Sequence, residues 1–416
     1  MDGTLTATLL DRARLARAAD ALAVAVVASL PWSTTATSIL IVLWLVALVP
    51  TLDWPALRRE LWTPAGGLPV LLWLLGVLGM LWADAPWRER LGGLDSFHRL
   101  LAIPLLLAQF RRSGNGRWVV TGFLASCTAL LVVSYVHVVW RTWHPGAYAQ
   151  ILIPGIPVKD YILQSGEFQI CVFGLAYAAV EAWRTRRPGL ALGLAALACA
   201  FLANIIYIAT GRTIVAVMPV LLALFGFRQF GWRGVVGVVI AGCLLAAAAW
   251  ASSPYLRARV LGVRQEIQLY QAENAETSSG ERLELWKKSL GFIAAAPVFG
   301  HGTGSIEQQF RAVVGASGPA AIISNNPHQQ TLTVAIQLGL VGVAVMFAMW
   351  AAHVALFRGG GLVAWAGLIV VVQNVVSCLF NSHLFDFTQG WIYVFGVGAL
   401  GGAALSMRLR DPAATI

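Results

Sequence analysis

The chain has 416 residues, 58% of them hydrophobic and 12% charged, with a mean hydropathy of +0.73. These values exclude a soluble globular core and describe a polytopic membrane protein. The net charge of +10 raises nucleic acid as a partner. Most of the arginines, however, lie in short turns between apolar runs, where they anchor a chain to a membrane face, so no nucleic-acid partner is expected.

A helix needs roughly 20 apolar residues to cross a ~30 Å hydrocarbon layer, and about twelve such segments are expected: 14–31, 34–51, 67–83, 98–111, 118–140, 164–183, 189–210, 213–229, 234–252, 328–357, 361–382 and 389–407. The first, with its basic flank and small residues 23–29, imitates a signal peptide but is expected to stay as a span because others follow at once. The fourth is short, and a tilted or re-entrant course is expected there. Many of the tryptophans fall near span ends and read as an interfacial belt.

Orientation follows from the basic residues of the short turns. With the N-terminus cytoplasmic, Arg12, Arg14 and Arg17 lie inside, followed by Arg58 and Arg59, then Arg111, Arg112 and Arg117, then Arg184, Arg186 and Arg187. Arg228, Arg233, Arg358, Arg408 and Arg410 continue the register. Both termini are therefore expected in the cytoplasm and the long polar segment 252–327 outside, in a bacterium the periplasm. The chain divides into membrane helices over 1–252, a helical periplasmic loop over 253–327 and further membrane helices over 328–416. Cys127, Cys171, Cys199, Cys243 and Cys378 all fall in predicted spans, so neither a disulfide nor a metal cluster is expected. The chain has no Gly-Lys dipeptide for a P-loop and no outer Asp-x-Asp pair for a metal-nucleotide. A nucleotide-driven reaction is not expected, nor is any cofactor.

Within the loop, Val260, Val263, Ile267 and Tyr270 recur at helical spacing and predict a helix over 256–271. Ser278 followed by Glu281 has the form of a capping box, so a second helix is expected to begin there, with Arg282 in its first turn beside free backbone N–H groups that favour an anion. That helix stops at Pro297. Gly300-His301-Gly302-Thr303-Gly304-Ser305 is expected to be a flexible turn, and a third short helix to cover 306–314.

Three side chains stand out. Arg282 reads as an anion ligand or a solvated surface charge. Arg212, in the tight outer turn Thr210-Gly211-Arg212-Thr213, reads as a ligand or as an arginine snorkelling to headgroups. His328, between Pro327 and a new apolar helix, reads as a helix-entry residue or as a general base, imidazole being well suited to take a proton from a sugar hydroxyl at neutral pH.

The run Ser279-Gly-Glu-Arg282-Leu-Glu-Leu-Trp286 through Ala296-Pro-Val-Phe-Gly300-His-Gly302-Thr-Gly304, then Pro327-His328-Gln329 through Gln337-Leu-Gly-Leu-Val-Gly342, resembles the shared core of the O-antigen ligase and polymerase superfamily. The resemblance covers roughly residues 190–345, with the Gly-Arg turn at Arg212 matching the family's upstream arginine. One departure is Gln329, where the family usually has Asn. The resemblance implies an all-α, GT-C-like membrane glycosyltransferase that moves a glycan from undecaprenyl diphosphate. For the ligase branch the acceptor is a sugar of lipid A–core. It implies that Arg212 and Arg282 clamp the diphosphate without a metal and that His328 deprotonates the acceptor for a single inverting displacement. Lys159 could then add charge to the phosphate site, Glu167 could orient His328, Gln329 could keep the amide function, and His383 with Asp386 could line the acceptor path. Lys159, Glu167, His383 and Asp386 each also read as interfacial or structural residues.

Rival readings remain. An O-antigen polymerase would use the same donor, but polymerases often carry two sizeable outer loops and here the 141–163 loop is much the shorter. A protein O-oligosaccharyltransferase tends to have extra C-terminal sequence, and this chain ends soon after Arg410. A lipid-glycan transporter would fit twelve spans, but the ionisable residues cluster at the outer face and the chain shows no repeated half.

Overall fold

The computed structural model describes residues 11–140, 153–273, 275–315 and 321–410, and every regular element among them is helical. The first part of the 141–163 loop, up to residue 152, lies outside the described residues. The helices start where the sequence provides an oxygen for the open N–H groups: Asp11, Ser33, Thr63 and Asp160 each accept from the first turn of the helix they precede.

Among the described residues seven helices are long and apolar enough to cross a membrane, or eight if the bent pair Trp54–Leu61 and Pro64–Gly79 forms one span. Three further expected spans coincide with helices that are more polar or shorter. Arg12–Ser29 carries Arg12, Arg14, Arg17 and Asp20, and Tyr161–Arg184 carries Gln164, Glu167 and Gln169, all three buried. Leu362–Ser377 has only 16 residues. One of the seven, Arg212–Ser252, is not a straight rod. Gly231 has φ 67° inside it, and a Cβ on Gly242 would stand 3.1 Å from Leu222 Cδ1, although a straight helix would separate these residues by about 30 Å. The element is therefore a hairpin of two antiparallel arms meeting at residues 226–235.

Alternate turns gather their arginines on backbone oxygens and acids at one end of the bundle. Arg12 donates to Leu52 O, Arg112 to Thr51 O, Arg228 to Gly359 O and Arg408 to Leu356 O, while Arg111 pairs with Glu60 at 2.8 Å. Between helices, buried polar side chains satisfy one another. Gln164 Nε2 donates to Asn204 Oδ1 at 3.0 Å, and Asn204 Nδ2 to Ser134 Oγ at 2.8 Å. Such interhelical bonds contribute about 0.6–2 kcal/mol each in membrane proteins.

The helix Gln330–Leu356, expected as one uninterrupted span, is broken at Gly339, where φ is 60°. The break opens the Ile336 and Gln337 carbonyls on one side and the Leu340 and Val341 N–H groups on the other. The stretch Pro297–Gly302 closes all four: His301 N donates to Ile336 O (2.7 Å) and Gly302 N to Gln337 O (2.9 Å), while Pro297 O accepts from Leu340 N (2.8 Å) and Val298 O from Val341 N (3.3 Å). The glycine turn that follows is packed rather than flexible. Thr303 and Ser305 are fully buried, and Thr303 donates through N to Gly79 O and through Oγ1 to Gly76 O. Leu285, Phe292, Ile306, Phe310 and Ile336 complete a small second core that fastens the loop helices to the broken helix.

Gly339→Ala places a side chain at positive φ against the Val298 carbonyl. It is expected to cost more than about 2 kcal/mol, read as a lowered melting temperature of the detergent-solubilised protein. Gly291→Ala, whose Cβ meets open space in a regular helix, is expected to be neutral or slightly stabilising. Equal losses in both variants would remove the special role of the break.

Candidate functional site

At the end of the bundle away from the paired arginines, the loop helices Pro254–Glu273 and Ser278–Ala295 stand over the start of the Arg212–Ser252 hairpin. Arg212 is the first helical residue after Gly211, and its guanidinium turns outward to the loop. Nη1 donates to Glu266 Oε2 at 2.9 Å and Nη2 to Glu266 Oε1 at 2.5 Å, a two-pronged grip. Nη1 also reaches Ser279 Oγ at 3.3 Å, and Nε reaches the Arg259 carbonyl at 3.2 Å.

The second loop helix begins one residue earlier than the expected capping box. Thr277 is its N-cap and accepts from Gly280 N, while Glu266 accepts from Ser279 N and Oγ. Arg282 therefore lies in the second turn, and first-turn N–H groups expected to be free for an anion are already taken. What remains for an anion is the guanidinium itself. Arg282 is half-buried and donates no hydrogen bond to a described residue; its electrostatic neighbours are Tyr161, Arg212, Glu266 and Glu281. Burial, the largest influence on it, lowers its pKa, yet an arginine in a protein stays a cation.

Both arginines line one cavity of about 340 Å³, closed on its apolar side by Val263, Ile267, Trp286 and Phe380. Two of these walls lead directly to His328. Trp286 Nε1 donates to the Pro327 carbonyl at 3.0 Å. Phe380 is followed by Asn381, whose Oδ1 faces His328 Nδ1 at 3.0 Å. The same oxygen accepts from Ser382 N at 3.0 Å, so it is an acceptor and Nδ1 must carry the proton. That leaves Nε2 of the neutral ring with a free lone pair. His328 itself sits at φ 54°, an unusual conformation for a side-chain-bearing residue, held by its N–H on Asn326 Oδ1 at 2.9 Å.

The remaining expected residues separate into different roles. Gln329, not His328, is the N-cap of the following helix, its Oε1 accepting from Leu332 N. Lys159 donates to the Leu30 carbonyl and to Thr388 Oγ1 at 2.9 Å, and does not line the arginine cavity. Burial lowers its pKa, with Glu167 and Asp160 opposing. Glu167 is buried with Lys159 as its opposite charge, so the residue found against His328 is Asn381 rather than Glu167. His383 is buried, with Nδ1 2.7 Å from Ser377 Oγ and Nε2 3.8 Å from Asp386. Burial, reinforced by the nearby Arg282 charge, pushes His383 down to about 4. Burial raises Asp386 to about 6 against the opposing charge of Arg99. Sequence reading missed Glu266 and Asn381. Both are ordinary polar residues in a loop helix and a turn, and no spacing rule connects them to Arg212 or His328.

A family model described as O-antigen ligase matches residues 195–347. This segment supports membership of the O-antigen ligase superfamily. The matched segment begins five residues later and ends two residues later than the 190–345 read from the motifs, and it holds Arg212, Glu266, Arg282, Trp286, His328 and the Gly339 break. The apolar helices make the chain a multi-pass membrane protein, and the family match suggests a glycosyltransferase-like role in O-antigen biosynthesis. No curated protein matches it.

The Arg212–Glu266 pair makes a pH prediction for this ligase-superfamily site. Hydrogen bonds from Arg212 hold Glu266 down to about 2, below the roughly 4.3 of a free glutamate. A depressed carboxylate contributes stability that is complete above its unfolded value and is lost as pH falls through its folded value. The melting-temperature gap between the wild type and Glu266→Gln is therefore expected to hold from about pH 7 to about pH 5 and to close between about pH 4 and about pH 2. A gap that closes already at about pH 6 would show that Glu266 is not held by Arg212.

Proposed function

We propose that the protein is an O-antigen ligase. On this reading it transfers a glycan from undecaprenyl diphosphate to a sugar hydroxyl of lipid A–core, in the inner membrane of a bacterium with both termini cytoplasmic and the site facing the periplasm. The observation that carries the reading is the single cavity shared by Arg212 and Arg282, two of whose walls, Trp286 and Phe380, connect to the segment bearing His328. Planar guanidinium groups suit phosphate oxygens, and here Glu266 already occupies one fork as a carboxylate does, two oxygens to two N–H groups. The donor diphosphate takes that place beside Arg212 and fills the unengaged fork of Arg282.

The chemistry is a displacement at the anomeric carbon. His328 Nε2 takes the proton of the acceptor hydroxyl, the acceptor oxygen forms its bond to the anomeric carbon, and the bond from that carbon to the diphosphate oxygen breaks with inversion. The electron pair leaves on undecaprenyl diphosphate, whose growing charge the two arginines neutralise. Asn381 holds the ring in the tautomer that keeps Nε2 basic. Diphosphate needs no protonation to leave, and two fixed cations supply the charge that a divalent metal would otherwise bring. The reaction is thus metal-independent and uses no cofactor.

Deletion of the gene is expected to leave lipid A–core without a polysaccharide ladder on a silver-stained gel while long lipid-linked chains accumulate. Core carrying a single repeat would indicate a polymerase instead, and an unchanged ladder would point to protein glycosylation or transport. His328→Ala is expected to lower transfer roughly a hundredfold or more at unchanged abundance. Arg282→Lys, which keeps the charge but loses the fork, is expected to lower it roughly tenfold or more. Activity of the purified protein that vanishes in EDTA and returns with Mg²⁺ would sink the two-arginine clamp.

A further inference from the structure

A second cavity, of about 290 Å³, lies beside the segments that carry His328 and Asn381, with Asn326 and Ser382 in its lining. Trp286 and Phe380 line the arginine cavity, whereas Asn326 and Ser382 line the second. Residues 380–382 join the two along the chain, and residues 326–328 join them through the Trp286 hydrogen bond to the Pro327 carbonyl; the His328–Asn381 hydrogen bond ties these two segments together. Ser382 Oγ closes the near wall by bonding Asn326 Oδ1 at 2.7 Å, the same oxygen that receives the His328 N–H.

The two cavities differ in chemistry. The second is lined by Glu89, Glu307 and Asp386 together with amides, hydroxyls and the ring of Phe385. Among the described residues that line it there is no Lys, Arg or His. The cations beside it stand behind its acids: Arg311 pairs with Glu307 and is near Glu89, and Arg99 opposes the charge of Asp386. Glu89 Oε2 is buried and has no hydrogen-bond partner among the described residues, which costs free energy unless a ligand supplies a donor. The wall bearing Glu89 is firmly held, because Gly93 packs so closely on Gly304 that an added Cβ would come within 2.6 Å of Gly304 N. A space whose own lining carries three carboxylates and no cation favours a neutral ring over a phosphate. Acceptor oxygens, amides and one aromatic face together suit the hydroxyls and C–H face of a sugar ring, and the volume is at the lower end of the roughly 300–1,000 Å³ of small-molecule sites.

We propose that this cavity binds the acceptor sugar and selects an uncharged, hydroxyl-rich ring over a phosphorylated or carboxylated one. This rests on the transfer reaction proposed above. It separates the substrates by charge: the donor diphosphate is held among arginines, the acceptor among carboxylates, and His328 lies on a segment that links the two cavities. Glu89 accepts a hydroxyl hydrogen from the sugar, and the acidic rim keeps the donor head from binding in the wrong half of the site.

The test uses the full chain reconstituted with a lipid-linked donor and two acceptors, one ending in a neutral sugar and the other in the same sugar phosphorylated. Glu89→Gln is expected to raise the KM for the neutral acceptor roughly tenfold, the scale of one hydrogen bond to a charged group, with the donor KM unchanged. Glu89→Lys is expected to narrow the preference for the neutral acceptor. Gly92→Leu serves as a variant that leaves the fold intact, because Gly92 lines the cavity and its added Cβ meets open space; it is expected to raise the acceptor KM by obstruction. A changed donor KM with an unchanged acceptor KM, or a wild type indifferent to the phosphate, would overturn the assignment. A wild type that transfers to neither acceptor would overturn the transfer reading itself.

Discussion

The break at Gly339 is the constraint on which the rest of the structure depends. A helix interrupted among apolar neighbours exposes carbonyls and N–H groups that water cannot reach, and each must find a partner inside the protein. Here the partners come from Pro297–Gly302, at the end of the second loop helix. The loop is therefore tied by backbone hydrogen bonds to the very helix that His328 precedes. Trp286 and Arg282 lie on the helix leading into that tie, so the loop cannot drift from His328 without opening the break.

From this anchor the site gains its polarity. The hairpin Arg212–Ser252 brings Arg212 up from the bundle, the loop brings Arg282 and Glu266 down to it, and the turn at 380–386 brings Asn381 beside His328. Three separate parts of the chain thus meet around one histidine. One neighbouring cavity is lined by arginines and the other by carboxylates, and the segments around His328 link them.

The glycines show how local conformation serves this geometry. Gly300, Gly302 and Gly304 all have positive φ, and Gly304 lies against the Trp87–His98 helix so closely that a side chain would strike the backbone of Glu89 and Arg90. As a motif these residues read as a flexible turn. In the fold the same freedom of φ is used to pack backbone on backbone, so the turn is among the better-buried parts of the loop. Spacing reveals that glycine is needed, but only the neighbours reveal whether it is needed for motion or for close approach.

The sequence by itself determined the class of the protein, most helix positions and the family, because hydropathy, capping residues and ordered motifs are properties of short stretches. It also singled out Arg212, Arg282 and His328, since a charge or an imidazole is conspicuous in an apolar chain. Apolarity alone did not show that Tyr161–Arg184 buries Gln164, Glu167 and Gln169 or that Gly339 divides a helix. Only the tertiary structure decided that Glu266 holds Arg212, that Asn381 rather than Glu167 sets the tautomer of His328, and that Glu89 faces a cavity next to it. These pairs are joined across 54, 53 and more residues of chain, and such contacts arise from the folding of helices against one another, which no local spacing encodes.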